Sequence, residues 1–253
     1  MAPSGVRRPA PPVEAEGKVY SSLDPVKIVE TCRESRDSIS QRFPGSGLSG
    51  LASALLSVSE QAAGLSEWLS RPHLPLRAFA GLGILVVLII VVEVLLNLKG
   101  QPTFTSIAEF LQGSEAAINE VVFLGVAVFF LLTLETRLKR RRALRAIHVL
   151  RSMAHIIDMH QLTKDPERSA GVPPPNDTGA KRPQNPTELI RYLDYCSDQL
   201  ALISKIAALY VQKFNDPVTM SAVNEIEDLT NGLARKMWQK IMIFDRIVAS
   251  AVP

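Results

Sequence analysis

Between Leu76 and Leu98 the chain reads LRAFAGLGILVVLIIVVEVLLNL, and from Ala78 onward only Glu93 and Asn97 interrupt the apolar run. At 1.5 Å per residue, about 20 such residues cross a hydrocarbon core about 30 Å thick, so the run is expected to be a transmembrane helix. A second run from Ala116 to Leu134, AAINEVVFLGVAVFFLLTL, is also long enough, although it starts polar. The 47% apolar content of the 253 residues would suit many globular proteins; what distinguishes this chain is that so much of it is gathered in two runs.

The N-terminal MAPSGVRRPAPPVEAEG lacks the apolar core of a cleavable leader, so the first span is expected to be its own anchor. Arg71 and Arg77 precede that span, and Arg137, Lys139, Arg140, Arg141, Arg142 and Arg145 follow the second, whereas the connection between them carries Lys99 alone. Bases stay on the cytoplasmic side, which predicts two spans with both termini inside, in a plasma or bacterial inner membrane. The formal net charge of +3 hides this asymmetry. Cys32 and Cys196 lie far apart on the predicted reducing side, a pattern that fits neither a disulfide nor a cysteine-rich metal site.

Punctuation divides the rest. Residues 1–22 are proline-rich with little to bury and are expected to be a disordered arm. Within 23–70, Asp24-Pro25 is a helix start, Val29, Cys32, Ile39 and Phe43 recur at helical spacing, and Pro44-Gly45-Ser46-Gly47 closes the helix. A second amphipathic helix then carries Leu51, Leu55, Val58, Ala62, Leu65 and Leu69 on one stripe. Arg71-Pro72-His73-Leu74-Pro75 breaks it before the first span, 76–98.

The connection 99–115 is expected to hold a short interfacial helix from Ser106 to Gln112, capped by Thr105 and stopped by Gly113. The second span, 116–135, meets no proline or glycine after Gly125 and should continue as a cytoplasmic stem over 136–162, about 39 Å long from Thr136 to Gln161. Residues 163–185 form a proline-rich linker, and Asn185-Pro186-Thr187-Glu188 opens the segment 186–250. There Leu189, Leu193, Cys196, Leu200, Ile203, Ala207, Tyr210 and Phe214 step by threes and fours. Asn215-Asp216-Pro217 interrupts them, and Met220, Val223, Ile226, Leu233, Met237, Ile241, Phe244 and Val248 resume the pattern. Two such helices joined by so short a turn should fold back antiparallel with a coiled-coil-like seam.

Chemistry is sparse. His148, Arg151, His155 and Asp158 share a polar arc of the stem, opposite Ile147, Leu150, Ala154 and Ile157. Imidazoles and a carboxylate on neighbouring turns suit a divalent metal or acid–base work, yet His148 and His155 stand about 10 Å apart along the axis, too far to share one ion. The plainer expectation is a polar face with Arg151 paired to His155 or Asp158, and a packed His160 on the apolar side. The bases at 137–145 sit where anionic lipid headgroups would meet them, and they set topology; the aromatic interleaving of a nucleic-acid surface is missing. GLGILVV at Gly81 and Gly83 lies inside a span, where small residues let helices approach. Glu93 and Glu120 each fall about 10 Å toward the outer face from the centre of their span, and they either reach the interface or share a polar site. Walker, dinucleotide, zincin and nucleophile-elbow signatures do not occur.

The expected fold class is all-α, a two-span transmembrane helical hairpin with a cytoplasmic helical bundle. The expected function is that of a non-enzymatic helical interaction protein, binding membrane lipid and either copies of itself or a helical partner, with no cofactor and no nucleic acid. A channel or transport subunit built around Glu93 and Glu120 is the alternative, and a metal-dependent enzyme or sensor using His148, His155 and Asp158 the third.

Overall fold

The computed structural model describes residues 22–98, 107–162 and 186–250, and among them the only regular structure is helical. The arm at 1–21, the connection around Thr105 and the linker 163–185 lie outside the described residues. Helix α1 spans Pro25–Arg42 and α2 spans Gly47–Ser70. Asp24 caps α1 by accepting from Val26 N–H at 2.9 Å, with Pro25 supplying the preset φ of the first turn. The turn out of α1 needs a left-handed residue, and Gly45 takes it at φ +70°. Ser46 then caps α2, its hydroxyl accepting from Ser49 N–H at 3.1 Å.

Helix α3 covers Leu74–Leu98, and α4 runs without a break from Ile107 to Leu162, 56 residues or about 84 Å. This corrects the expectation of a separate helix stopped at Gly113. A glycine costs a helix interior only about 1 kcal/mol, which good helix formers on either side outweigh. Helices α5, Pro186–Val211, and α6, Pro217–Ser250, complete the chain.

One hydrophobic core joins α1, α2, the C-terminal half of α4, α5 and α6. Its centre is fully buried: Ile39, Leu55, Ala62, Leu150, Ile157, Leu200, Ile203 and Ile226. The stripes read from the sequence supply most of it. Leu189, Leu193, Cys196, Leu200, Ile203, Ala207 and Tyr210 are all buried on α5, as are Val223, Ile226, Leu233, Met237, Ile241 and Phe244 on α6. Met220 departs from the pattern at 41% exposure, and buried Thr230 fills the gap between Ile226 and Leu233 by returning its hydroxyl to Ile226 C=O. Helices α1, α2 and α4 do not reach the far end of the α5–α6 pair, where Leu189, Leu193, Ile241 and Phe244 form a separate small cluster.

Helix α3 touches only α4 among the described helices. Gly83 permits that contact, since a Cβ there would stand 2.8 Å from Leu131 Cδ1. Nothing in the most apolar 18-residue stretch of either helix is buried. A soluble core helix of that composition would be covered, so both are long enough, apolar enough and exposed enough to cross a membrane.

Ile157 is fully buried on the stem and Ser152 is exposed. Ile157→Asp is expected to destabilise the bundle by about 3 kcal/mol or more through an unpaired buried charge, and Ser152→Asp by less than about 0.5 kcal/mol. Limited proteolysis of the two variants checks this, with equal susceptibility contradicting the assigned faces.

Candidate functional site

The bundle and the two apolar helices meet around one carboxylate. Helix α2 must end at Ser70, because Pro72 offers no N–H, and the chain turns through Arg71–His73 into α3. Glu135 of α4 receives that turn. Its Oε1 accepts from His73 N–H at 3.3 Å and from Lys139 Nζ at 3.0 Å, and its Oε2 from Arg77 Nε at 2.7 Å. Lys139, one turn further along α4, is 7% exposed and also donates to Arg71 C=O at 2.8 Å. A buried ammonium is tolerated only with such partners, and here they tie the end of α2 and the start of α3 to a single turn of α4. Beside it, the Arg142 guanidinium lies 4.2 Å from the Trp68 ring centre, and the His73 ring packs on the same indole at 4.2 Å.

A second clamp lies on the next residue. Arg140 grips Asp216 through Nε, 3.1 and 3.0 Å from the two carboxylate oxygens, and Nη2, 2.6 Å from Oδ1. Asp216 is 2% exposed and caps α6, its Oδ2 accepting from Thr219 N–H at 2.9 Å and Oγ1 at 2.8 Å. Burial by itself would raise this carboxyl, but the donors from Arg140 and Thr219 outweigh it and hold Asp216 below the usual carboxylate range. The turn between α5 and α6 is thereby fixed to α4 about 7.5 Å along the axis from Glu135.

The bases of this run differ in their surroundings. Lys139 and Arg140 are structural ties and Arg142 stacks on Trp68, while Arg137, Arg141 and Arg145 remain exposed. Sequence reading missed these ties because Asp216 and Trp68 are remote in the chain; the Glu135–Lys139 spacing of four was the one visible signal. On the stem, Arg151 pairs with Glu225 of α6 rather than with His155 or Asp158, because α6 packs alongside and offers a carboxylate. His148 and His155 are exposed, and Asp158 accepts from Gln161 Nε2 at 2.6 Å. Among the described residues no three His, Cys, Asp or Glu side chains are grouped as metal ligands would be. His160 is half-buried against Gly47, where the missing Cβ leaves room for its ring.

Glu93 and Glu120 are both exposed on the apolar helices. They lie about 24 Å from Arg77 along α3 and about 22 Å from Glu135 along α4, so the register set by the Arg77–Glu135 bond brings them to one level.

No family model, no curated protein and no solved structure matches this chain.

The Arg140–Asp216 pair gives a signed pH dependence. Because the folded carboxyl titrates below its unfolded value near about 3.9, its contribution is complete above that pH and is lost as pH falls through the lower folded value. Arg140→Met is expected to cost about 2 kcal/mol at neutral pH, less than the roughly 3–5 kcal/mol of a fully buried pair because Arg140 is partly exposed and Thr219 still serves Asp216. Denaturant titrations at pH 7 and pH 3 check this: the difference between wild type and variant should shrink at the lower pH, and a constant difference contradicts the assignment.

Proposed function

We propose that the chain is a two-span, membrane-anchored helical interaction protein without catalytic chemistry, self-associating through the free end of its α5–α6 pair. Helices α3 and α4 cross the bilayer as a hairpin. The bundle and both termini lie on the cytoplasmic side of a plasma or bacterial inner membrane, as the clustering of bases on that side of the spans requires.

The observation that carries the reading is the far end of α5 and α6. There the pair continues beyond the other helices on a core of four residues, and Trp238 and Met242, one turn apart, are 55% and 57% exposed. A lone two-helix end with a tryptophan and a methionine outward leaves an apolar surface that a second copy's helix pair would cover, making a four-helix layer. Trp238→Glu with Met242→Glu tests it. In detergent or nanodiscs, wild type is expected to run as a dimer or larger and the double variant as a monomer of unchanged helicity. A wild-type monomer at every concentration contradicts self-association.

The shared level of Glu93 and Glu120 favours a second reading, a channel or transport subunit in which assembled copies bring these carboxylates around a common path. Replacing both by Gln separates the two. On the interaction reading, proteoliposomes of wild type and of the Gln pair carry no cation or proton flux; flux in wild type that the pair abolishes supports the channel instead.

A further inference from the structure

Two of the helices begin with the same three residues, Asp24-Pro25-Val26 on α1 and Asp216-Pro217-Val218 on α6. Both starts lie at the same end of the bundle. Asp216 is held by Arg140 of α4, and the start of α1 is held to the end of α5 by a paired contact, Leu23 N–H to Gln212 Oε1 at 2.9 Å and Gln212 Nε2 to Leu23 C=O at 3.1 Å. This is the end from which α3 and the apolar half of α4 depart, since Glu135 and, one turn on, the adjacent Lys139 and Arg140 make their bonds there.

That end exposes apolar side chains which the core does not use. Val26 is 72% exposed and Val218 45%, although the neighbours Ile28 and Thr219 are buried. Side chains on a helix lean toward its N-terminus, so both valines lean away from the bundle and toward the side of the apolar helices. Lys27 beside Val26 and Lys213 beside the α5–α6 turn are exposed as well, with Arg137 and Arg141 on α4 adding to the same end. A groove of about 580 Å³ between α1, α2 and α5 opens beside Val26, lined by Asp24, Glu67, Gln212 and Lys213, with Glu67 paired to Arg71.

We propose that this end of the bundle is a membrane-docking face: the two Asp-Pro-Val starts rest as paired feet on the anionic headgroups of the leaflet that α3 and α4 enter. This rests on the membrane-anchored reading above. Two arguments select lipid as the occupant. The first is continuity, because Arg140 stands about 7.5 Å along α4 from Glu135, and a headgroup layer of about 5 to 8 Å beyond the hydrocarbon spans that distance. The second is charge: small apolar tips with lysines alongside match an anionic interface, where each lysine contributes about 1 kcal/mol. Such feet would hold the bundle upright on the spans and make its attitude depend on lipid charge.

The full chain, reconstituted in bilayers of phosphatidylcholine with or without phosphatidylglycerol, carries an environment-sensitive fluorophore on a single introduced cysteine; native Cys32 and Cys196 are buried and do not compete. Positions 26, 218, 88 and 53 are compared by quenching with nitroxide lipids. Leu88, 58% exposed on α3, reports whether the spans are inserted, and Ser53, exposed on α2 about 22 Å from Trp68 along that helix, is the remote reference. In anionic bilayers, labels on Val26→Cys and Val218→Cys are expected to be quenched and Ser53→Cys not. The equilibrium constant for docking should fall at least about fivefold for each of Lys27→Glu and Lys213→Glu. Quenching at 88 with none at 26 and 218 overturns the docking face alone, whereas loss of quenching at 88 also removes the membrane reading beneath it. Positions 26 and 218 shielded from thiol reagents in native membranes but reactive in pure lipid would assign the face to a protein and overturn the proposal.

Discussion

Glu135 is the point on which the rest of the molecule depends. It closes an apolar segment and opens a basic one, and its two oxygens accept from the backbone of the turn into α3, from Arg77 and from Lys139. A carboxylate of this kind serves as a fixed pin. Its partners come from both sides, so the register of α3 on α4, the exit of α2 and the root of the bundle are set together. Gly83 against Leu131 continues that register, and so does the common level of Glu93 and Glu120.

From this pin the architecture follows by burial. Helix α4 carries two burial patterns within a single run of hydrogen-bonded turns. Its N-terminal half exposes apolar side chains away from its contact with α3, as suits a hydrocarbon solvent, and its C-terminal half shows the one-sided burial of Ala143, Ile147, Leu150, Ala154 and Ile157 that suits water. Glu135, Lys139 and Arg140 stand at the change. They join the bundle to the apolar helices, which is why the basic run yields fewer outward charges than its composition promised.

The helical fold was legible because its signals are local. Spacings of three and four marked the faces of α5 and α6, proline and glycine marked α1 and α2, and unbroken apolar length marked α3 and much of α4. What was not legible was either marginal or remote. Gly113 looked like a stop, but one glycine cannot end so long a helix. Arg151 had acidic and histidine neighbours in sequence and took Glu225, 74 residues away, and Arg140 took Asp216 across 76. Trp68, in contact with both His73 and Arg142, had no local signal at all. Charged side chains choose among many partners of similar energy, and the choice is made by packing that no short window of sequence contains.

In the proposed arrangement the bundle lies on one side of a membrane and the connection between the spans on the other. Single cysteines at Ser53 and Asn231, both exposed on the bundle, and at Thr105 in the connection can be probed in intact cells with a membrane-impermeant maleimide. Reaction is expected at position 105 before lysis and at 53 and 231 only after it. Labelling of 53 or 231 in intact cells, or of all three alike, would contradict that arrangement.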